Sequence, residues 1–205
     1  RLMVGFNRRF APMCQQAKTL FELNEPVIFS CYVNAGEVPK DHWINDSAEG
    51  GGRILGEACH FIDLSNFFVA SEVKSVYANV IPVRGAIETV DNVNICLTYK
   101  NGSLGSIVYT SLAPKNLPKE RIEIIGQGRA AIIDNFKNLV IYNKNKRNKI
   151  RSFRQAKGHR NQFKELIDSI VDNRPSPIPL SEIFASMKTT FAVLKSIRDA
   201  KIISY

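Results

Sequence analysis

Apolar positions along this chain fall first at helical spacing, then in strand alternation, then at helical spacing again. An opening apolar run over residues 2–6 predicts a strand fragment. It turns through Asn7-Arg8-Arg9-Phe10-Ala11-Pro12 into a helix predicted over 12–23, where Asn7 and Pro12 suit a helix entrance. Residues 27–34 have strand composition, and the long polar segment 35–52 ends in three consecutive glycines, Gly50, Gly51 and Gly52. A helix over 52–69 follows, because Ile54, Leu55, Ala58, Phe61, Ile62 and Phe68 recur on one side. From residue 73 the pattern predicts strands at 73–81, 93–99, 105–111, 121–125, 130–134 and 139–143, and Asn101-Gly102 marks a tight hairpin turn. The last quarter returns to helix. Residues 161–171 set Phe163, Leu166, Ile167 and Ile170 on one face, Ser181 is the expected cap of a helix reaching about 200, and the proline-rich 174–179 serves as connector. Helices before and after a run of successive strands imply an α+β fold: one large, mixed, mostly antiparallel sheet with helices on one face.

A length of 205 residues with 44% apolar content suits one domain spanning 1–205. No run of about 18 apolar residues would span a membrane, and residues 1–10 lack the apolar core of an export signal, so the expectation is a soluble, cytoplasmic protein. The cysteines Cys14, Cys31, Cys59 and Cys96 stand singly, as reduced thiols would. Beginning inside a strand-like run, the chain reads as a fragment of a longer enzyme. The formal charge of +9 raises the question of nucleic acid. The excess lies in one strip between Lys144 and Lys164 that contains no acid, and Phe153 is the one phenylalanine interleaved among its basic residues up to Arg160. Without stacking platforms for bases, the strip reads as a solvated loop and strand face, and no nucleic-acid partner is expected.

Two motifs carry candidate chemistry. Gly126-Gln127-Gly128-Arg129-Ala130-Ala131 matches the GxGxxA form of a dinucleotide fingerprint, but that motif needs a helix N-terminus next, and here the sequence continues as strand. A hairpin turn is the expectation, and no cofactor-binding residue is assigned in this chain. The glycine-rich run before Glu57 and His60 differs. Glycines allow backbone and ligand to approach closely, and residues three apart on a helix share a face, where a carboxylate could orient an imidazole that takes a proton from a hydroxyl. One His with one Glu supplies too few ligands for a metal, so none is assigned.

The run from Gly50 to Leu64, with its histidine followed by an apolar pair and Asp63, resembles the glucose-fructose oxidoreductase, inositol dehydrogenase and MocA family. So do Asn7-Arg8-Arg9-Phe10, residues 121–130, and Gly158-His159-Arg160-Asn161-Gln162-Phe163. Tyr32-Val33-Asn34-Ala35-Gly36 and Pro39-Lys40-Asp41-His42-Trp43 resemble the bidomain oxidoreductases within it. The resemblance implies the family's C-terminal, glyceraldehyde-3-phosphate-dehydrogenase-like domain without its Rossmann domain. It implies an NAD- or NADP-dependent oxidoreductase acting on a hydroxyl of a sugar, sugar derivative or polyol, with the cofactor held mainly by the absent N-terminal domain. His60 becomes the catalytic general base and Glu57 its supporting carboxylate. Arg8, Arg9, Asn34, Lys40, His42 and Trp43 are the candidate substrate contacts. A homo-oligomer through the open sheet face is also implied. Many family members carry Asp four residues before the histidine, where this chain has Gly56. Without the absent domain the fragment should not turn over. The alternative is a non-catalytic sugar-binding or dimerisation module of the same fold.

Overall fold

The computed structural model describes residues 1–39, 41–46, 49–81 and 90–205. Its centre is a nine-stranded sheet of β1 (Ile28–Asn34), β2 (Val73–Val80), β3 (Val93–Tyr99), β4 (Leu104–Thr110), β5 (Glu120–Gly126), β6 (Arg129–Asp134), β7 (Asn138–Asn143), β8 (Lys146–Arg151) and β9 (Ile203–Ser204). The order is β8-β7-β6-β5-β1-β4-β3-β2-β9. β1 and β4 run parallel and every other pair is antiparallel. Side chains alternate across such a sheet, so each strand gives one row to each face. Phe29, Cys31 and Val33 of β1, Ile107 and Tyr109 of β4, and Ile122 and Ile124 of β5 are buried beneath the helices.

There are four α-helices: α1 (Pro12–Lys18), α2 (Cys59–Val69) and α4 (Leu180–Asp199) lie on that face, and α3 (His159–Val171) packs against residues 7–10. Phe61, Ile62, Leu64 and Phe68 of α2 enter the core, where Phe68 stacks on Phe29 at 5.9 Å between ring centroids. The other face is open. Its central row sets Ile125, Ile28 and Leu104 side by side, each about half exposed. The α+β architecture expected from the pattern is the one observed, and so is the hairpin after β5. There Gln127 and Gly128 both take positive φ (55° and 68°), the geometry of a type I′ turn rather than of a phosphate loop.

Several elements differ from the pattern. Residues 2–6 form no strand. Phe6 N–H bonds back to Val4 O and Asn7 N–H to Gly5 O, while Gln162 and Ser176 side chains take Val4 O and Leu2 O. Met3, Val4 and Phe6 are apolar because they fill a second, smaller core with Phe10, Cys59, Ile178 and Ile183. The first helix ends at Lys18, short of the expected 23, and α4 begins at Leu180 behind Pro179, so Ser181 lies inside it rather than capping it. On α3 the buried residues are Gln162 and Ser169, whereas Phe163, Ile167 and Ile170 are more than half exposed. The unforeseen edge strand β8 has one apolar residue, Ile150, which an edge tolerates because only backbone pairing is required. Its lysines and arginines also discourage further strands from adding there.

Asn7–Phe10 forms a 3-10 turn whose four residues are all buried. Arg9 donates to Asp63 of α2 (Nε–Oδ2 2.9 Å, Nη2–Oδ1 2.5 Å) and to Glu182 of α4 (2.5 Å), joining three elements. Removing one partner of a buried ion pair leaves an uncompensated charge. Asp63→Ala is therefore expected to lower unfolding free energy by about 3 kcal/mol, measured by urea denaturation; a loss no larger than that of an exposed pair would show the clamp to be dispensable.

Candidate active site

His60 is the second residue of α2, and the turn before it is unusual. Ile54–Ala58 is a π-helical turn in which Cys59 N–H reaches back to Ile54 O, five residues earlier. Such turns hold an extra residue and re-aim side chains, and they recur at functional sites. Two observations explain this one. Gly56 stands where the family resemblance implies an aspartate, and an added Cβ would lie 3.2 Å from Ile44 Cδ1, tight enough that Ile44 would have to give way. The wider turn also swings Glu57 away from the histidine's face. Glu57 accepts from Lys119 (2.8 Å), Tyr109 (2.6 Å) and Arg53 (3.1 Å) rather than from His60. The expected Glu57–His60 hydrogen bond is thus absent, since α-helical spacing does not apply across a π turn.

Both residues nevertheless line one cavity of about 510 Å³, together with Met3, Gly5, Asn7, Arg8 and, from α3, His159, Gln162, Phe163 and Leu166. That volume lies in the usual small-molecule range of about 300–1,000 Å³. His60 Nδ1 is buried without a hydrogen-bond partner, and the ring meets Phe6 edge-on at 5.7 Å. Burial, and then the positive charge of Arg8, pull its pKa down from 6.5 to about 4, so the imidazole is neutral near pH 7. Burial alone would raise the Glu57 pKa, but its three donors outweigh that and hold it at about 2.

Arg8 is fixed by a fully buried carboxylate. Glu120 accepts from its Nε (2.9 Å) and Nη2 (3.1 Å), and Lys157 adds a third bond at 2.6 Å. The guanidinium also lies 4.3 Å above the Phe61 ring. Gly158 closes this corner: at φ +93° it approaches Asn7 O so nearly that an added Cβ would stand 2.2 Å away. Lys157 therefore departs from the solvated reading of the basic strip.

Of the candidates, the structure brings together His60, Glu57 and Arg8. Arg9 is turned into its clamp and does not line the cavity. Asn34 donates to Pro114 O and Leu117 O, holding the loop after β4. His42 Nδ1 accepts from Ile44 N–H at the start of the 3-10 turn Trp43–Asn45, and Trp43 is exposed beside it. Lys40 lies outside the described residues. Tyr109, Lys119, Glu120, Lys157 and His159 were not singled out as site residues, because each is an isolated polar residue in its own segment and only the sheet and α3 bring them to Arg8 and Glu57.

An α+β sheet open on one face, with a histidine helix at its covered end, defines the class of fold. The sequence profile of the GFO/IDH/MocA C-terminal domain matches residues 21–131, just over half of the chain. The chain therefore belongs to the GFO/IDH/MocA family. It is 30% identical over 141 residues to the uncharacterized oxidoreductase YrbE of Bacillus subtilis (strain 168), a match covering 65% of this chain and 40% of that protein. Solved structures share the fold. The aldose-aldose oxidoreductase of Caulobacter crescentus, complexed with glycerol, superposes with TM-score 0.83 at 16% identity, covering 100% of this chain and 64% of the other. The WlbA dehydrogenase of Bordetella pertussis, in complex with NADH and UDP-GlcNAcA, gives 0.75 at 21% identity, covering 100% and 63%. The chain spans less than two thirds of each relative's length. Among the described residues no helix is long and apolar enough to cross a membrane.

The lowered pKa values fix a direction for stability. An unfolded chain protonates its histidine from about 6.5 downward while His60 resists to about 4, so stability is complete above the upper value and drains as pH falls between them. Glu57 adds a second loss, beginning near 4.5 and ending near 2. His60→Ala should flatten the first loss, so that urea midpoints at about pH 7 and about pH 5 differ less than in the wild type. An unchanged pH dependence would show that His60 is not held neutral.

Proposed function

We propose that this chain is the substrate-binding and proton-transfer part of a nicotinamide-dependent oxidoreductase acting on a hydroxyl of a sugar, sugar derivative or polyol. The observation that carries this reading is the neutral, half-buried His60 with a buried, unpartnered Nδ1, set in a small-molecule cavity beside Arg8 and Glu57. His60 acts as general base: it takes the hydroxyl proton of the alcohol being oxidised and returns it in the reverse direction. Glu57, kept ionised by its donors, supports the imidazolium that forms by charge across the cavity. Arg8 and Asn7 offer donors to substrate oxygens, and Lys40, His42 and Trp43 are further candidates for substrate contacts, although His42 and Trp43 are not in the cavity lining. The names of relatives that act on aldoses or bind a sugar nucleotide support a sugar-like substrate.

When bound, NAD or NADP supplies the hydride acceptor or donor. Gly126 to Ala131 is a hairpin that runs on into β6, with no helix N-terminus there to receive a pyrophosphate. The dinucleotide is then held mainly by residues outside these 205. Phe163, Ile167 and Ile170, uncovered beside the cavity, suit packing against that part.

In the whole enzyme, His60→Ala should lower turnover by about 10²–10⁴-fold with cofactor affinity nearly unchanged. Glu57→Gln should cost less. The acid limb of the oxidation rate should fall toward about pH 4 rather than 6.5 in the wild type. Near-normal turnover of His60→Ala with the same pH profile would make the histidine structural.

The open sheet face is proposed as the contact between copies of the chain, through Ile28, Leu104, Ile125, Tyr32 and Tyr142. Ile125→Lys should shift the protein toward monomer in sedimentation velocity. A wild type that is monomeric at micromolar concentration would count against this contact.

A further inference from the structure

We infer that the cavity beside His60 takes a substrate bearing an anionic group, a carboxylate or a phosphate, and that Arg8 selects it. The inference rests on the reading of this cavity as the substrate site. It begins with the bonding of Arg8. Nε and Nη2 are committed to Glu120, but Nη1 has no partner among the described residues, and Arg8 is part of the cavity lining. A planar guanidinium pinned along one edge and stacked on Phe61 presents its remaining N–H groups in a fixed direction, the arrangement suited to a carboxylate or phosphate oxygen.

The charges around the cavity point the same way. Arg8, Lys157, Arg53 and Lys119 are paired with two carboxylates, Glu57 and Glu120, so four cations meet two anions. The adjoining clamp of Arg9 with Asp63 and Glu182 carries one more anion than cation, yet none of its members lines the cavity. Even with it included, five cations face four anions. Glu57, the one carboxylate in the lining, is covered by three donors and offers little repulsion. In a site partly shielded from water, this surplus attracts an anion more strongly than it would at an open surface. Glu120 and Lys157 are positioning residues, since Glu120 orients the guanidinium and Lys157 offsets the charge that Glu120 would otherwise leave on Arg8.

The test is an NMR titration of the 205-residue chain, following the His60 imidazole, with D-glucuronate, D-glucose 6-phosphate, D-glucose and inorganic phosphate added separately. At least one anionic sugar should shift His60 saturably and bind about tenfold or more tighter than glucose, the size of a charge-assisted bond. Which of the two binds tells carboxylate from phosphate. Added salt should weaken the preference. The double variant Arg8→Gln with Glu120→Gln, which leaves no carboxylate orphaned, should abolish it; if that variant does not fold, the wild-type comparison of charged with neutral sugar decides. An equal response to glucose, no response to either anionic sugar, or a response to inorganic phosphate alone overturns the inference. None of these readouts needs cofactor or turnover. Failure of the oxidoreductase reading would appear separately, as an intact enzyme that keeps its rate without His60.

Discussion

A guanidinium withdrawn from water must be met by a carboxylate, and this protein withdraws two adjacent ones. Arg8 finds Glu120 at the start of β5, while Arg9 finds Asp63 on α2 and Glu182 on α4. Neighbouring side chains on a tight 3-10 turn point in different directions, so one short turn ties the sheet to the helical layer. The gain in stability from buried pairs is small, but their geometry tolerates little change. Where Arg8 meets Glu120, α2 and α3 come within reach of each other, and the cavity lies between them.

The same constraint shapes the chemistry of His60. Its neighbours are an aromatic edge, a fixed cation and apolar residues of α3, so the imidazole is kept neutral by burial and by Arg8. The π turn ahead of it frees Nδ1 by sending Glu57 to a different set of donors. A histidine bonded to its own carboxylate would be more basic and already partnered. Here the carboxylate supplies charge at a distance, and the nitrogen stays available to a ligand.

A larger groove of about 820 Å³ lies elsewhere on the helical layer, between the end of α2 and α4. It holds Lys18, Lys188 and Glu182 but neither a histidine nor Arg8. Size alone does not mark the site. What distinguishes the smaller cavity is the conjunction of an unpartnered ring nitrogen, a guanidinium with one free edge and a fully buried acid beneath it.

Much of the fold was legible because strand alternation and helical spacing are local properties. Seven strands, the hairpin at Gln127-Gly128 and all four helices follow from periodicity and turn chemistry, and His60 stood out through its glycine-rich approach. The errors have equally local causes. Residues 2–6 were apolar for the sake of a second core rather than a sheet, β8 needed no apolar pattern at an edge, and α3 turned its apolar face outward. Partnership was beyond the sequence. Nothing in the spacing of Arg8, Glu120 and Lys157 says that they meet, since 112 residues separate the first two. The sequence by itself determined which segments become helix or strand and which residue types could do chemistry. Tertiary structure alone decided that Glu57 serves Lys119, Tyr109 and Arg53, that Arg9 is a clamp while Arg8 faces the cavity, and that His60 is neutral. Those outcomes depend on burial and on charges brought together across the sheet, and neither is a property of neighbouring residues.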